Sequence, residues 1–167
     1  MSSILPNEDT HRLQAAEGWL ELGNHLEAHE ELKRISPSYR LHPDVLEMRW
    51  RVSEAAKNWE KCLELAETLT DAVPRCMSGW LKLASTLHAM GQSEDACQAL
   101  VDFVDDFAES PIFLYNVACY SCQAGLLQDA VTWLEEVFKL DEKGELKRLA
   151  LHDPMLEPLR KRIGDLK

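Results

Sequence analysis

The chain has 167 residues, 46% of them hydrophobic with only 7 Gly and 7 Pro, which suits an all-helical domain with a sizeable core. Its net charge of −11 contains no long like-charge block, and a surface this acidic repels phosphate backbones, which argues against nucleic acid as a partner. No stretch reaches the roughly 18 apolar residues of a membrane span. The opening MSSILPNEDT lacks the basic and apolar regions of a secretory signal, and the five Cys form no disulfide framework. A reducing, cytoplasmic setting is expected, with basic or apolar protein segments as the natural partners.

Residues 1–8 read as a loose tail. Helical periodicity then runs over residues 9–22 and 25–36, where Pro37 stops it, and over 43–56 and 59–72. Between Met77 and Ala108 the pattern gives two amphipathic helices broken at Gly91. The first carries Trp80, Leu83, Ala84 and Leu87 on one face, and the second carries Ala96, Leu100 and Phe103. Ser110–Pro111 opens another pair over 111–124 and 127–140. Residues 143–151 and 155–163 predict two short helices split at Asp153–Pro154.

A step of 34 residues maps these pairs onto one another. From Gly91 it reaches Gly23, Lys57 and Gly125; from Ala96 it reaches Ala28, Cys62 and Ala130. Leu100 lands on Leu32, Ala66 and Leu134, and Phe103 on Ile35, Leu69 and Val137. Four copies hold the register without insertion, and the recurring small residue has a packing reason, since two helices approach closely only where one offers little side chain. The aromatic–Leu–small–Gly–Ala pattern resembles the tetratricopeptide repeat (TPR).

That resemblance implies an all-α, right-handed superhelical TPR solenoid of four helix-turn-helix repeats, over about 9–42, 43–76, 77–110 and 111–142. Residues 143–167 would form a C-terminal helical cap, with Leu146, Leu149, Leu156, Leu159 and Ile163 covering the open end of the stack and its basic residues facing water. The second repeat matches worst. Lys57 replaces the usual Gly, Arg49 a Leu, and Trp50 a small residue, so splayed or shifted helices are expected there. The tail HDPMLEPLRKR resembles endings of bacterial TPR proteins.

Chemical motifs fare less well. Cys119 and Cys122 form a C-x-x-C, but inside a helix rather than at an N-terminus that would lower a thiol pKa, and no further metal-ligand pair accompanies them. His88 stands 34 residues before Cys122, which makes the two candidate neighbours. His25 and His29 resemble a metalloprotease pair, yet Leu26 occupies the place of the required Glu. No phosphate loop, nucleophile elbow or EF-hand spacing is present, and Asp102, Asp105, Asp106 and Glu109 read as a solvated face. No catalysis, metal or cofactor is expected. Trp19 and Trp80 are placed on core faces. Trp59 and Trp133 are placed partly on the outside, where a homodimer contact is an alternative.

In TPR proteins the first helix of each hairpin lines a concave groove. On this chain that face comprises Leu13, Glu17 and Glu21, then Glu47, Arg51 and Glu54, then Leu81, Lys82, Ser85 and His88, then Tyr115, Asn116, Cys119 and Cys122. Arg51, Lys82, Ser85, His88, Tyr115, Asn116 and Cys119 are the candidate contacts for a protein or peptide partner. A dicarboxylate clamp is not expected, because Leu13, Glu17, Glu47 and Arg51 stand where its Lys and Asn would be. The resemblance implies a binding adaptor or scaffold, with a chaperone-like holder of a secreted or assembling partner as the alternative and a thiol or metal role at Cys119 and Cys122 behind it.

Overall fold

The structure is a computed structural model that describes residues 4–166. Among the described residues there are ten α-helices joined by turns and short 3-10 segments, and no strand. The chain divides into two compact units, Met1–Leu83 and Ala84–Lys167, with the division falling inside one helix.

The first unit contains α1 (Asn7–Glu21), α2 (His25–Lys33), α3 (Pro43–Ala55), α4 (Trp59–Ala72) and the opening turns of α5 (Met77–Ala89). Helix begins at Asn7, so Asn7 and Glu8 belong to α1 rather than to a tail, and residues 1–3 of that expected tail lie outside the described residues. The second helix stops at Lys33, short of residue 36, because Pro37 opens a 3-10 turn instead. Asp9, 1% exposed, accepts the Ser36 amide at 2.9 Å and ties the exit of α2 to the first turn of α1. Ala16 and Ala28 lie fully buried among Leu32, Ile35, Val45, Met48 and Val52. Trp19, expected in the core, is 37% exposed.

The second hairpin is neither splayed nor shifted, since α3 and α4 pack along their length. Two departures from the pattern cancel. Trp50 stands where the register elsewhere puts Ala16, Ala84 and Ala118, while Ala66 stands where it puts Leu32, Leu100 and Leu134. Trp50 and Ala66 fall in one buried cluster with Leu46, Cys62, Leu65 and Leu69, so the bulk has moved across the hairpin and the core stays filled. Arg49 is half-buried and donates from Nη2 to the Leu32 carbonyl at 3.3 Å, where a cation suits the C-terminal end of α2.

The second unit holds the rest of α5, then α6 (Ser93–Val101), α7 (Pro111–Gln123), α8 (Leu127–Leu140), α9 (Glu145–Ala150) and α10 (Arg160–Asp165). Phe103 falls beyond α6, which yields to a 3-10 turn at Val104–Phe107. Leu114, Ala118, Ala130, Leu134 and Val137 form the core between α7 and α8, and Leu156, Leu159 and Ile163 seal it. Leu149 does not join them and is 52% exposed.

Four interhelical turns share one geometry. Gly23, Gly91 and Gly125 have φ of +76°, +82° and +80°, and Lys57 takes the same left-handed region at +55°. In each turn the following amide donates back five residues: Asn24 to Trp19, Asn58 to Ser53, Gln92 to Leu87 and Leu126 to Ser121, all at 2.9 Å. This is the Schellman closure, which satisfies carbonyls left open at a helix end and needs a left-handed residue. At Asn24 and Asn58 the side chain then caps the next helix by accepting from Glu27 N and Lys61 N. A Lys at φ +55° bears a steric cost that Gly does not. Lys57→Gly is therefore expected to stabilise the protein by about 1 kcal/mol, or roughly 2–4 °C in a thermal melt; an unchanged or lower melting temperature would show that the turn carries no strain.

Candidate protein-binding site

In the first unit α1 and α3 lie side by side, and so do the register positions of their outer faces. Arg51 Nη1 donates to Glu17 Oε1 at 2.8 Å across a spacing of 34 residues, with the two side chains 40% and 48% exposed. One step along, Lys82 Nζ of α5 meets Glu47 Oε2 at 3.4 Å, bonds Ser78 Oγ, and stands 5.5 Å from the Trp50 ring centroid. This pair is drier, at 15% and 34% exposed. Burial raises the Glu54 pKa above the usual carboxylate range, opposed by Lys82 and Arg51. The face is thus a ladder of oppositely charged groups already oriented by one another. The exposed Arg51–Glu17 pair is worth only about 0.2–1 kcal/mol.

In the second unit Ser85 and His88 lie on the last turns of α5, both half-buried. His88 Nδ1 is 3.0 Å from Ser93 Oγ, and its ring centroid is 5.5 Å from that of Tyr120. Its ring is therefore engaged by Ser93 and Tyr120. Asn116 is also half-buried and donates from Nδ2 to Ile112 O at 2.8 Å, a bond along its own helix.

Tyr115 and Cys119 are not open groove residues. They are 6% and 2% exposed, because the chain's own segment around Asp153 crosses α7. The Asp153 carboxylate accepts from Tyr115 Oη at 2.7 Å, Cys119 Sγ at 3.8 Å and Met155 N at 2.8 Å. Gln123 Nε2 fixes the same segment by donating to Met155 O at 2.7 Å. Asp153 was missed as a site residue, although the 34-residue step from Cys119 lands on it. Arg162 likewise reaches Gln128 at 3.0 Å across 34 residues, so the cap keeps the repeat spacing that its sequence pattern had hidden.

The thiols follow from this burial. Desolvation pushes the Cys119 thiol pKa far up, with the Asp153 carboxylate adding to it, and Cys122 is raised for the same reasons. Burial likewise pushes Cys62 from the ordinary 9.0 to about 11. Nucleophilic attack and metal ligation both need the thiolate, which these sites disfavour. Among the described residues no group of three or more His, Cys, Asp or Glu is placed to hold a metal ion, and no helix is long and apolar enough to cross a membrane.

Sequence comparison places the chain in no family: no family model matches it and no curated protein matches. Solved structures do match in fold. The MamA RS-1 ArsTM double mutant superposes with a TM-score of 0.70 at 16% identity, over 83% of this chain and 78% of that one. A further MamA crystal structure gives 0.69 at 14% over 83% and 76%, and MamA AMB-1 gives 0.65 at 16% over 87% and 79%. At such identity the likeness shows the fold alone, an all-α helical-repeat fold of the TPR type.

Two outcomes follow from the thiol geometry. Iodoacetamide on the native protein is expected to alkylate Cys76, the half-buried thiol, well before the four buried ones. Asp153→Ala, which removes the acceptor of Tyr115 and Cys119, is expected to bring Cys119 and Cys122 into reaction, as read by peptide mass mapping; protection unchanged in that variant would show that Asp153 does not hold the segment down. Because the folded Cys62 pKa is raised, its contribution to stability is complete below pH 9.0 and lost as pH rises to about 11. Urea midpoints should fall over that interval, and less so in Cys62→Ala.

Proposed function

We propose that this protein is a binding adaptor that holds an extended or helical segment of a partner protein against the first-helix face of its first unit. Arg51 and Lys82 are the principal contacts in this reading. Glu17 and Glu47 orient them in the free protein and accept the partner's own cations in the complex. The observation that carries the proposal is the half-exposed Arg51–Glu17 pair, repeated one step along by Lys82–Glu47. A face kept polar, wet and pre-oriented across successive helices is suited to peptide backbone and charged side chains, and pre-orientation lowers the ordering cost of binding.

In the second unit, taken by itself, Ser85, His88 and Asn116 are the candidate contacts, as half-buried polar groups on first helices. Tyr115 and Cys119 join them only when the segment around Asp153 is displaced. The fold likeness to helical-repeat structures supports a binding role over a catalytic one, and five free thiols support a reducing, cytoplasmic setting.

Affinity capture from the source cell's lysate tests the proposal, comparing wild type with Arg51→Glu/Lys82→Glu. Arg51 is half-exposed and Lys82 is mostly covered, so circular dichroism is measured on the variant, and Arg51→Glu alone serves as the second comparison. A protein retained by wild type and reduced about tenfold by the variant is the expected result. Equal capture by the two proteins would place binding elsewhere on the molecule.

A further inference from the structure

Residues 84–138 contain nine carboxylates and neither Lys nor Arg; after Lys82 the next such cation is Lys139, already bonded to Glu136 at 2.6 Å. Within this stretch α6 and α8 border a cleft of about 280 Å³. Its floor is the Cys97–Ser121 pair, whose Sγ and Oγ share a hydrogen bond at 3.2 Å. Its walls are Val101, 37% exposed, and Trp133, and its rim carries Gln98 and Asp129. Gln98 is itself bonded to Asp102. Asp129 is exposed, and its chain neighbour Gln128 accepts from Arg162 at 3.0 Å.

We propose that this cleft is a second docking surface, separate from the first-helix face, and that its occupant is a basic amphipathic segment of a partner protein. One apolar side chain of the segment enters between Val101 and Trp133, while flanking Lys or Arg side chains meet Asp129 and Asp102. The volume falls just short of the roughly 300–1,000 Å³ typical of small-molecule sites, so it suits a side-chain anchor better than a cofactor. The floor's thiol and hydroxyl are already turned toward each other and the walls are apolar, which favours an apolar anchor over a charged one. Charge selects the flanks. Asp129 at the rim and Asp102 beside Gln98 lie in a stretch of chain with nine carboxylates and no Lys or Arg, and the cation that the fold brings near, Arg162, is held on Gln128. The rim therefore favours basic segments over acidic ones, and it also disfavours a second copy of this acidic chain as the occupant.

The test uses the full chain and a fluorescein-labelled amphipathic peptide of Lys, Ala and Leu, followed by anisotropy. Two control peptides replace every Leu by Ser or every Lys by Glu. The Lys/Leu peptide is expected to bind, with the Ser peptide at least about tenfold weaker and the Glu peptide silent. Thr132→Trp, which fills the cleft from an exposed position without changing charge, is expected to weaken binding about tenfold, and Asp129→Lys at least as much. Glu60→Gln, at an exposed carboxylate of α4 outside both faces, should leave it unchanged. Absence of binding by the Lys/Leu peptide overturns the proposal. Equal binding by the Ser peptide does so too, since it would mean charge attraction without an anchor. Binding abolished by the Arg51/Lys82 variant but not by Thr132→Trp overturns it as well. A dimer in sedimentation that Thr132→Trp converts to monomer would assign the cleft to a second copy instead, against the proposal.

Discussion

Each hairpin depends on one close approach. Ala28, Cys62, Ala96 and Ala130 are all fully buried, and each lies five residues after the left-handed turn residue of its hairpin. The turn sets where the second helix starts, and the small side chain sets how near it comes. A larger group there would force the helices apart and break contact along their length, because packed interiors have no slack to absorb added volume. The thiol at Cys62 is a by-product of this constraint: it is there for its size, and its raised pKa records the dryness of the contact rather than any chemistry.

The same constraint explains what the sequence disclosed. The recurrence of a small residue and a turn residue at fixed spacing reveals the hairpins and places α3, α4 and α8 within a residue of their observed ends. Position-by-position matching fails where the physics acts on pairs. Trp50 looks like a misfit alone and becomes regular only beside Ala66, since the core needs a total volume rather than a fixed residue at each site. Lys57 is legible as a missing glycine but not as a tolerated one, because the turn is over-determined by the Schellman bonds around it. End helices are read worst. Amphipathic periodicity gives a face, not a neighbour to cover it, so Trp19 and Leu149 were assigned burial that no packed element provides.

The candidate site divides along similar lines. Arg51 and Lys82 were legible because the register that aligns the helices also aligns their outward faces, and their carboxylate partners lie one register step away. Tyr115 and Cys119 share that face in the pattern yet are covered, since nothing in a helical period foretells that a Pro-containing segment will cross it. The Asp153 carboxylate makes that crossing possible. A half-buried acid gains from nearby donors, and it draws them from Tyr115, Cys119 and the Met155 amide together. The segment is therefore held by a polar node as well as by Leu156 and Leu159.

Charge placement separates the two units in a way that fold does not. In the first, cations and carboxylates alternate along the exposed face and quench each other at distances of 2.8–3.4 Å, leaving a surface with a weak field and many directional groups. Residues 84–138 of the second lack Lys and Arg, and although Lys139 pairs with Glu136, most of their carboxylates have no cation within the stretch and add their fields over a Debye length of about 8 Å at physiological salt. Self-repulsion among them costs stability, and the fold tolerates it because the core beneath, from Phe113 to Val137, is closed and dry. A quenched, directional face discriminates by hydrogen-bond geometry and suits a segment of mixed polarity. An unquenched acidic one discriminates by sign, attracts from a distance, and weakens steeply as salt rises. One helical-repeat fold thereby presents two differently charged surfaces, set by where its lysines and arginines were placed rather than by any change in the helices that bear them.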